Sequence, residues 1–309
     1  MKFNLEIEDP NEFNINYKDF EHYSIFADIN FLSVFADVFN CKLRLINAYK
    51  RSTLLASFPV FIKKKYGLKY ITRPPLLYYQ DILLTKKITK KDYYLFQLNM
   101  AYSDFIKRNF NKVFISFHPS YKDIRGFSSS NFNVNPVYTY LIDLKNNQMD
   151  EYESDKRNRI RKAKKNNIII KKDSDFSYLL KIKKKFYGSD VPLGLQKQLL
   201  EELHLRNKID IFNAFYENKI ISSKVVIKDK KNKFIYAWMG RNNKNYLFTG
   251  VSTYFTYKIL DMYRDKFDYF DFCGCNILKI ARFKSGFPTK LKHFYQVNWS
   301  KLSNIIPGR

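Results

Sequence analysis

The chain has 309 residues, 45% of them hydrophobic and 18% aromatic, and carries 55 Lys and Arg against 29 Asp and Glu, a formal net charge of +26. Nine Gly and nine Pro exclude a collagen-like or low-complexity chain, and three cysteines without a Cys-x-x-Cys pair exclude a disulfide framework and a zinc ribbon. No apolar run approaches the roughly 18 residues of a membrane span, the N-terminus lacks the basic start and apolar run of a signal peptide, and the length predicts two domains.

Residues 24–39 put Ile25, Phe26, Ile29, Phe31, Leu32, Phe35 and Val38 on one wide face, which predicts a helix. Strands follow at 42–49, 54–62 and 69–72. Pro74-Pro75 then forces an extended, tyrosine-rich loop over 73–81. Such a loop either lines a substrate cleft, through Tyr79 and Asp81, or only connects. Residues 88–109 read as a long amphipathic helix and 113–117 as a buried strand closed by His118-Pro119.

After an alternating strand at 138–144, residues 152–166 predict a helix with Lys156, Arg157, Arg159, Arg161, Lys162, Lys164 and Lys165. Helical spacing groups Arg157, Arg161 and Lys164 on one side and places Ile160 and Ala163 on another. Like charges at that separation repel, so the cluster either meets an anion or is a solvated face. Helices at 176–187 and 195–206 precede an antiparallel set at 209–216, 220–228 and 233–239. A helix over 251–264 starts just after Gly250, where Ser252 or Thr253 can cap it and leave first-turn N–H groups for a phosphate. One glycine and a hydroxyl are not a Walker or dinucleotide signature.

The run from Asp268 to Phe287 is the most specific. A strand containing Asp268 and Asp271 stops at Gly274, Asn276 can cap a short helix, and Phe283-Lys-Ser-Gly-Phe287 sets Lys284 between two rings. Lys284 is then either a positioned active-site cation or a solvated helix end. Asp271 either accepts a proton and orients a neighbour or satisfies backbone N–H groups. The four histidines lack metal-ligand spacing.

Both halves repeat one order, helix, antiparallel strands, helix and a further strand. This predicts an α+β chain of two similar domains, 1–145 and 146–309, with a cleft between them. The excess charge lies in the second half: residues 1–150 hold 21 basic and 14 acidic residues, the remainder 34 and 15. That field attracts phosphates on a nucleotide-linked cofactor, a nucleic acid or a membrane surface. The cysteine usage predicts a cytoplasmic protein, with peripheral contact to an anionic inner leaflet left open.

Residues 54–67, 71–75, His118-Pro-Ser-Tyr-Lys-Asp-Ile-Arg-Gly-Phe127, 139–144, Arg157-Asn-Arg-Ile-Arg-Lys-Ala-Lys-Lys165, 269–274 and Phe283-Lys-Ser-Gly-Phe287 occur in an order that resembles the FemAB-like branch of the GNAT-type acyltransferases. The resemblance implies two GNAT-like domains, each a mostly antiparallel mixed sheet flanked by helices. It also implies transfer of an acyl or aminoacyl group, from acyl-CoA or aminoacyl-tRNA and without a metal, to an amine of a cell-envelope precursor or surface saccharide. By the same resemblance Lys284 stabilises charge on the carbonyl oxygen or holds substrate, and Arg157 and Arg161 face phosphate or carboxylate groups. Three features depart from the family: Pro288 stands where many relatives have a second glycine, the acetyltransferase pyrophosphate loop with its two spaced glycines is absent around Gly250-Val-Ser-Thr253, and no coiled-coil arm of the tRNA-using relatives is evident. A reading from another class is a non-catalytic binder of RNA or single-stranded nucleic acid, which needs exposed rings beside its lysines.

Overall fold

A computed structural model describes residues 2–13, 15–186 and 191–301. Two compact units divide the chain: residues up to Val137 together with those from His293 onward, and Tyr138–Lys292. The sequence reading places the break after residue 145 and keeps all later residues in one domain.

The first unit contains β1 (Asn4–Glu8), β2 (Phe20–His22), α1 (Ile29–Val38), β3 (Lys42–Lys50), β4 (Thr53–Lys65), β5 (Leu68–Thr72), β6 (Leu83–Thr85), α2 (Lys86–Thr89), α3 (Asp92–Asn109), β7 (Lys112–Ser116) and α4 (Arg125–Ser129). The helix expected over 24–39 is split. A single 3-10 turn occupies Ile25–Ala27, and Asp28 restarts the chain as an N-cap whose Oδ1 accepts from the Phe31 N–H at 3.0 Å. The helix expected over 88–109 also breaks, because Lys91 is extended between α2 and α3. β1, β3, β4 and β5 pair antiparallel in that order and β7 joins β5 in parallel. Phe58, Leu98, Tyr102, Ile106 and Phe117 fill the core between this sheet and α3.

The second unit takes β8 (Asn133–Asp143) from Tyr138 onward, then α5 (Ser154–Lys165), β9 (Ile169–Asp173), α6 (Ser177–Phe186), α7 (Leu193–Leu205), β10 (Ile209–Tyr216), β11 (Lys219–Asp229), β12 (Phe234–Asn242), α8 (Val251–Tyr263), β13 (Tyr269–Asp271) and α9 (Leu278–Ser285). The expected end of α6 at Tyr187 lies outside the described residues. β9, β10, β11 and β12 are antiparallel, β13 joins β12 in parallel, and β8 adds antiparallel to β13. Ile160 and Ala163 of α5, Phe255 and Ile259 of α8, and Phe212, Val226, Ile235 and Phe270 of the sheet form its core. Each fully buried side chain of this size stabilises the fold by roughly 1.5–3 kcal/mol.

The two units therefore share one plan, four antiparallel strands followed by a helix and a strand that returns in parallel. Both then add one antiparallel strand. In the second unit that strand is β8, which precedes its body; in the first it is β14 (Lys290–Ser300), which pairs with β7 and buries Val297 and Trp299 in the first core.

Candidate active site

β12 and β13 pair over only three residues, Phe234–Tyr236 against Tyr269–Asp271, and then part. The open end of two parallel strands is where α/β sheets receive ligands. β13 leaves through two left-handed residues, Cys273 at φ 55° and Gly274 at φ 92°. Asp271 holds this turn. Its fully buried carboxylate accepts from the Thr139 hydroxyl at 2.5 Å and the Cys273 N–H at 2.7 Å, while Thr139 Oγ1 accepts from the Gly274 N–H at 3.0 Å. The turn presents the carbonyls of Phe272 and Gly274 to α9, and Lys284 Nζ donates to both, at 2.7 Å for Phe272. Its ammonium also lies 5.5 Å from the centre of the Phe272 ring. Burial lowers the Lys284 pKa, opposed by Cys273, Asp271 and Cys275. Two of the three ammonium N–H groups are engaged here, which fixes the charge and leaves one donor.

A second lysine lies on β11, the neighbour of β12. Lys224 of β11 lies in register with Gly240 of β12, where an added Cβ would come within 3.1 Å of Lys224 Cγ. Lys224 Nζ donates to Thr256 Oγ1 at 2.6 Å and to the Ser252 carbonyl at 3.3 Å, over the Phe255 ring at 5.1 Å. Burial, reinforced by the Lys284 charge, pushes its pKa down to about 7. A lysine between Ser222-Ser223 and the apolar Val225-Val226-Ile227 is the sequence signal of this residue, and sequence reasoning missed it.

At the start of α8 a cavity of about 380 Å³ opens between α5 and α9. Lys156, Arg159, Lys279 and Arg282 line it, with Glu153 and Asp155 also present. Arg159 is held by Asp155 through Nε at 2.8 Å. Lys156 continues the buried stripe of Ile160 and Ala163, its ammonium 4.4 Å from the Phe283 ring, and burial lowers its pKa. Ser252 and Thr253 line the cavity from the first turn of α8, where backbone N–H groups have no helical acceptor. The Thr253 hydroxyl is fully buried and has no hydrogen-bond partner among the described residues.

Two glycines set these distances. Gly250, at φ 82°, caps α8 without a side chain, and a Cβ there would lie 2.3 Å from the Arg159 carbonyl oxygen. At Gly286, in the Phe283–Phe287 run, a Cβ would lie 2.5 Å from Lys156 Cε and 2.8 Å from a Glu153 carboxylate oxygen. Both permit the close approach of α5. Gly250 itself is thus engaged by protein backbone.

Other expected residues make different contacts. Neither Ser252 nor Thr253 caps α8, because the N-cap is Gly250. Asn276 does not cap α9; its Oδ1 accepts from the Tyr138 N–H at 3.0 Å. Arg157 donates to the carbonyls of Asp150, at 2.9 Å, and Tyr152, while exposed Arg161 donates to Asn158 Oδ1 at 2.9 Å, so Lys156 and Arg159 take the cavity side of the helix. Tyr79 and Asp81 belong to the first unit and are fully buried. Tyr79 meets Phe26, His118 and Phe294 edge-on, and Asp81 accepts from the Ser24 N–H at 2.8 Å with His22 Nε2 at 3.5 Å. His22 and His118 hold the Asp81 pKa down at about 2 against its burial, and burial pushes His118 down to about 4.

Among the described residues no helix is long and apolar enough to cross a membrane, and no three His, Cys, Asp or Glu side chains gather as a metal site. No protein-family model and no curated relative matches the sequence. Solved structures do match. FemX is 11% identical with a TM-score of 0.70, over 99% of this chain and 100% of that one. The C-terminal domain of a putative lysylphosphatidylglycerol synthetase from Agrobacterium fabrum is 8% identical with a TM-score of 0.59, over 88% of each chain. A tandem GNAT protein from the clavulanic acid biosynthesis pathway is 9% identical with a TM-score of 0.56, over 95% of this chain and 98% of that one. The chain therefore has the two-domain, FemAB-like form of the GNAT-type acyltransferase fold.

Proposed function

We propose that the protein transfers an acyl or aminoacyl group from a phosphate-bearing donor, acyl-CoA or aminoacyl-tRNA, to an amine by direct attack. The observation that carries this reading is the Lys284 ammonium, fixed on the Phe272 and Gly274 carbonyls where β12 and β13 part. The donor phosphates lie in the cavity of Lys156, Arg159, Lys279 and Arg282, against the first turn of α8 and the unpartnered Thr253 hydroxyl. Arg161 adds to the field from the exposed side of α5. The acceptor nitrogen adds to the acyl carbon, the carbonyl π pair moves to oxygen, and the remaining Lys284 N–H stabilises that oxyanion. The bond to the donor sulfur or oxygen then breaks and the nitrogen loses a proton, leaving an amide and a free thiol or hydroxyl.

Alignment of the two reactants supplies about 7–11 kcal/mol of barrier reduction, and one preorganised oxyanion donor about 3–4 kcal/mol. No covalent nucleophile is needed. Burial raises the thiol pKa of both Cys273 and Cys275, which disfavours thiolate attack. Asp271 acts by holding the turn that aims the carbonyls. The likeness of nearly the whole chain to FemX and to a lysylphosphatidylglycerol synthetase domain supports a cell-envelope component as acceptor, and the acceptor proposed here is an amine of an envelope precursor or surface saccharide. The site of action is then the cytoplasm at the inner face of the membrane. Phe255, Phe272 and Phe287 beside the two lysines are packed in the core and unavailable for base stacking, and the partly buried Phe283 at the cavity is covered by Lys156, which favours this reading over a nucleic-acid binder.

Mass spectrometry of envelope precursors and surface sugars from strains carrying wild-type protein or Lys284→Ala tests it. Loss of one acyl or aminoacyl adduct in the variant is expected; identical products from both strains would overturn the assignment. Thermal stabilisation by coenzyme A or by an aminoacyl-tRNA analogue identifies the donor, since a ligand of the folded state raises its stability.

A further inference from the structure

We propose that Lys224 is the proton acceptor of this transfer: its amine takes the proton that the attacking nitrogen must lose, while Lys284 carries the positive charge opposite the carbonyl oxygen. The inference rests on the transfer reading above and adds a residue to it. β11 offers Lys224 at the level of Gly240, beyond the last β12–β13 pair at Tyr236 and Asp271, and its amine is held on α8 by Thr256 and Ser252. Lys284 is held on the first and third carbonyls after Asp271, near enough for its charge to act on Lys224.

The surroundings of the two amines differ in the way that acid–base work requires. Lys284 rests on two carbonyls with Asp271, Cys273 and Cys275 nearby, groups that favour its charged form. Among the described residues no carboxylate pairs with Lys224. α8 gives it a hydroxyl, one carbonyl and the face of Phe255; β10 gives Phe212 opposite; β12 gives Gly240; and the charged group that acts on it is Lys284 of α9. Both burial and that neighbour favour its neutral form, and a pKa of about 7 leaves roughly half of it as free amine near neutral pH. Gly240 is part of the device, because a side chain there would meet the lysine stem.

The protons balance. The acceptor amine attacks and forms the N–C bond, and the resulting N–H proton moves to neutral Lys224. The C–S or C–O bond of the donor breaks, and the Lys224 ammonium returns the proton to the departing thiolate or alkoxide. A base with a pKa near the working pH suits both transfers.

Competitive labelling of the full-length protein with acetic anhydride across pH 5–10, read by peptide mass spectrometry, tests the free amine without any substrate. Lys224 should become reactive with a midpoint near 7, well below the roughly 10.4 of an ordinary lysine, and Lys284→Met should raise that midpoint. A Lys224 midpoint at the ordinary lysine value, or no Lys224 label at any pH, would overturn the proposal. In strains, Lys224→Arg keeps the charge but loses the free base, and Lys224→Met removes both. Either should reduce the adduct lost in Lys284→Ala by about 100-fold or more, with melting of each purified variant confirming that it folds. An adduct lost in Lys284→Ala but retained in both Lys224 variants would refute the role of Lys224 and leave the transfer reading intact; an adduct unaffected by any of them would refute the reading itself.

Discussion

Replacing Gly250 with alanine tests whether the cavity is set by the approach of α5 to the start of α8. The substitution has two separable penalties. At φ 82° an alanine carries a left-handed penalty of about 1–2 kcal/mol. Its Cβ would also sit 2.3 Å from the Arg159 carbonyl oxygen, a backbone atom in the middle of α5 that cannot rotate away. Displacing a packed helix in this way costs about 1–3 kcal/mol, so the total is about 2–5 kcal/mol. Gly274→Ala provides the control, since it has φ 92° in the same unit with nothing within 4 Å of the added methyl, and should show the backbone penalty alone. The two tryptophans make the assay specific, because Trp238 lies in the second unit and Trp299 in the first. In a Trp299→Phe background, thermal unfolding followed by Trp238 fluorescence should fall by about 4–20 °C for Gly250→Ala. Coenzyme A should also stabilise this variant less, because Lys156 and Arg159 move with α5. A Gly250→Ala transition within 2 °C of Gly274→Ala would refute the proposed contact between helix and loop.

Three further outcomes follow from particular contacts. Asp210 receives Lys228 Nζ at 2.7 Å, Lys172 Nζ at 2.8 Å and the Tyr263 hydroxyl, and the Lys228 side chain is only 5% exposed, so Asp210→Ala strands a buried cation and should destabilise the second unit by about 3–5 kcal/mol in denaturant titration. His118 is buried with a pKa lowered from 6.5 to about 4, so the unfolded chain binds its proton first. Stability should therefore decline as pH falls from about 6.5 to about 4, by up to about 3 kcal/mol, and His118→Gln should flatten that part of the pH–stability curve. Lys284→Met leaves the Phe272 and Gly274 carbonyls without their ammonium and should destabilise the second unit by about 1–3 kcal/mol, measured by urea unfolding.

What could be read from the sequence was local. The repeated order of elements, the antiparallel sets and the strand–turn–helix around Lys284 all follow from periodicity, glycine position and flanking rings within a few residues. The contacts that shape the site join distant segments and leave little local trace. Gly250 reads as a phosphate-binding glycine, but its conformation also serves a helix some ninety residues earlier in the chain. Lys156 is hidden among seven basic residues; only the 156, 160, 163 stripe separates it from Arg157 and Arg161. Lys224 sits in a run that reads as plain buried strand, and the register with Gly240 that makes room for it exists only once β11 and β12 pair. Tyr79 and Asp81 follow a proline pair that does enforce a loop, yet the loop folds inward onto Phe26 and His118.

The placement of β14 imposes an order on biosynthesis. The second unit is one uninterrupted stretch, so a ribosome can release it whole, while the β7 edge of the first unit stays open until the closing segment has emerged. The segment that begins folding first is thus the one that finishes last. A nick or premature stop just before Lys290 would leave the β7 edge of the first unit unpaired, the kind of surface on which nascent chains aggregate.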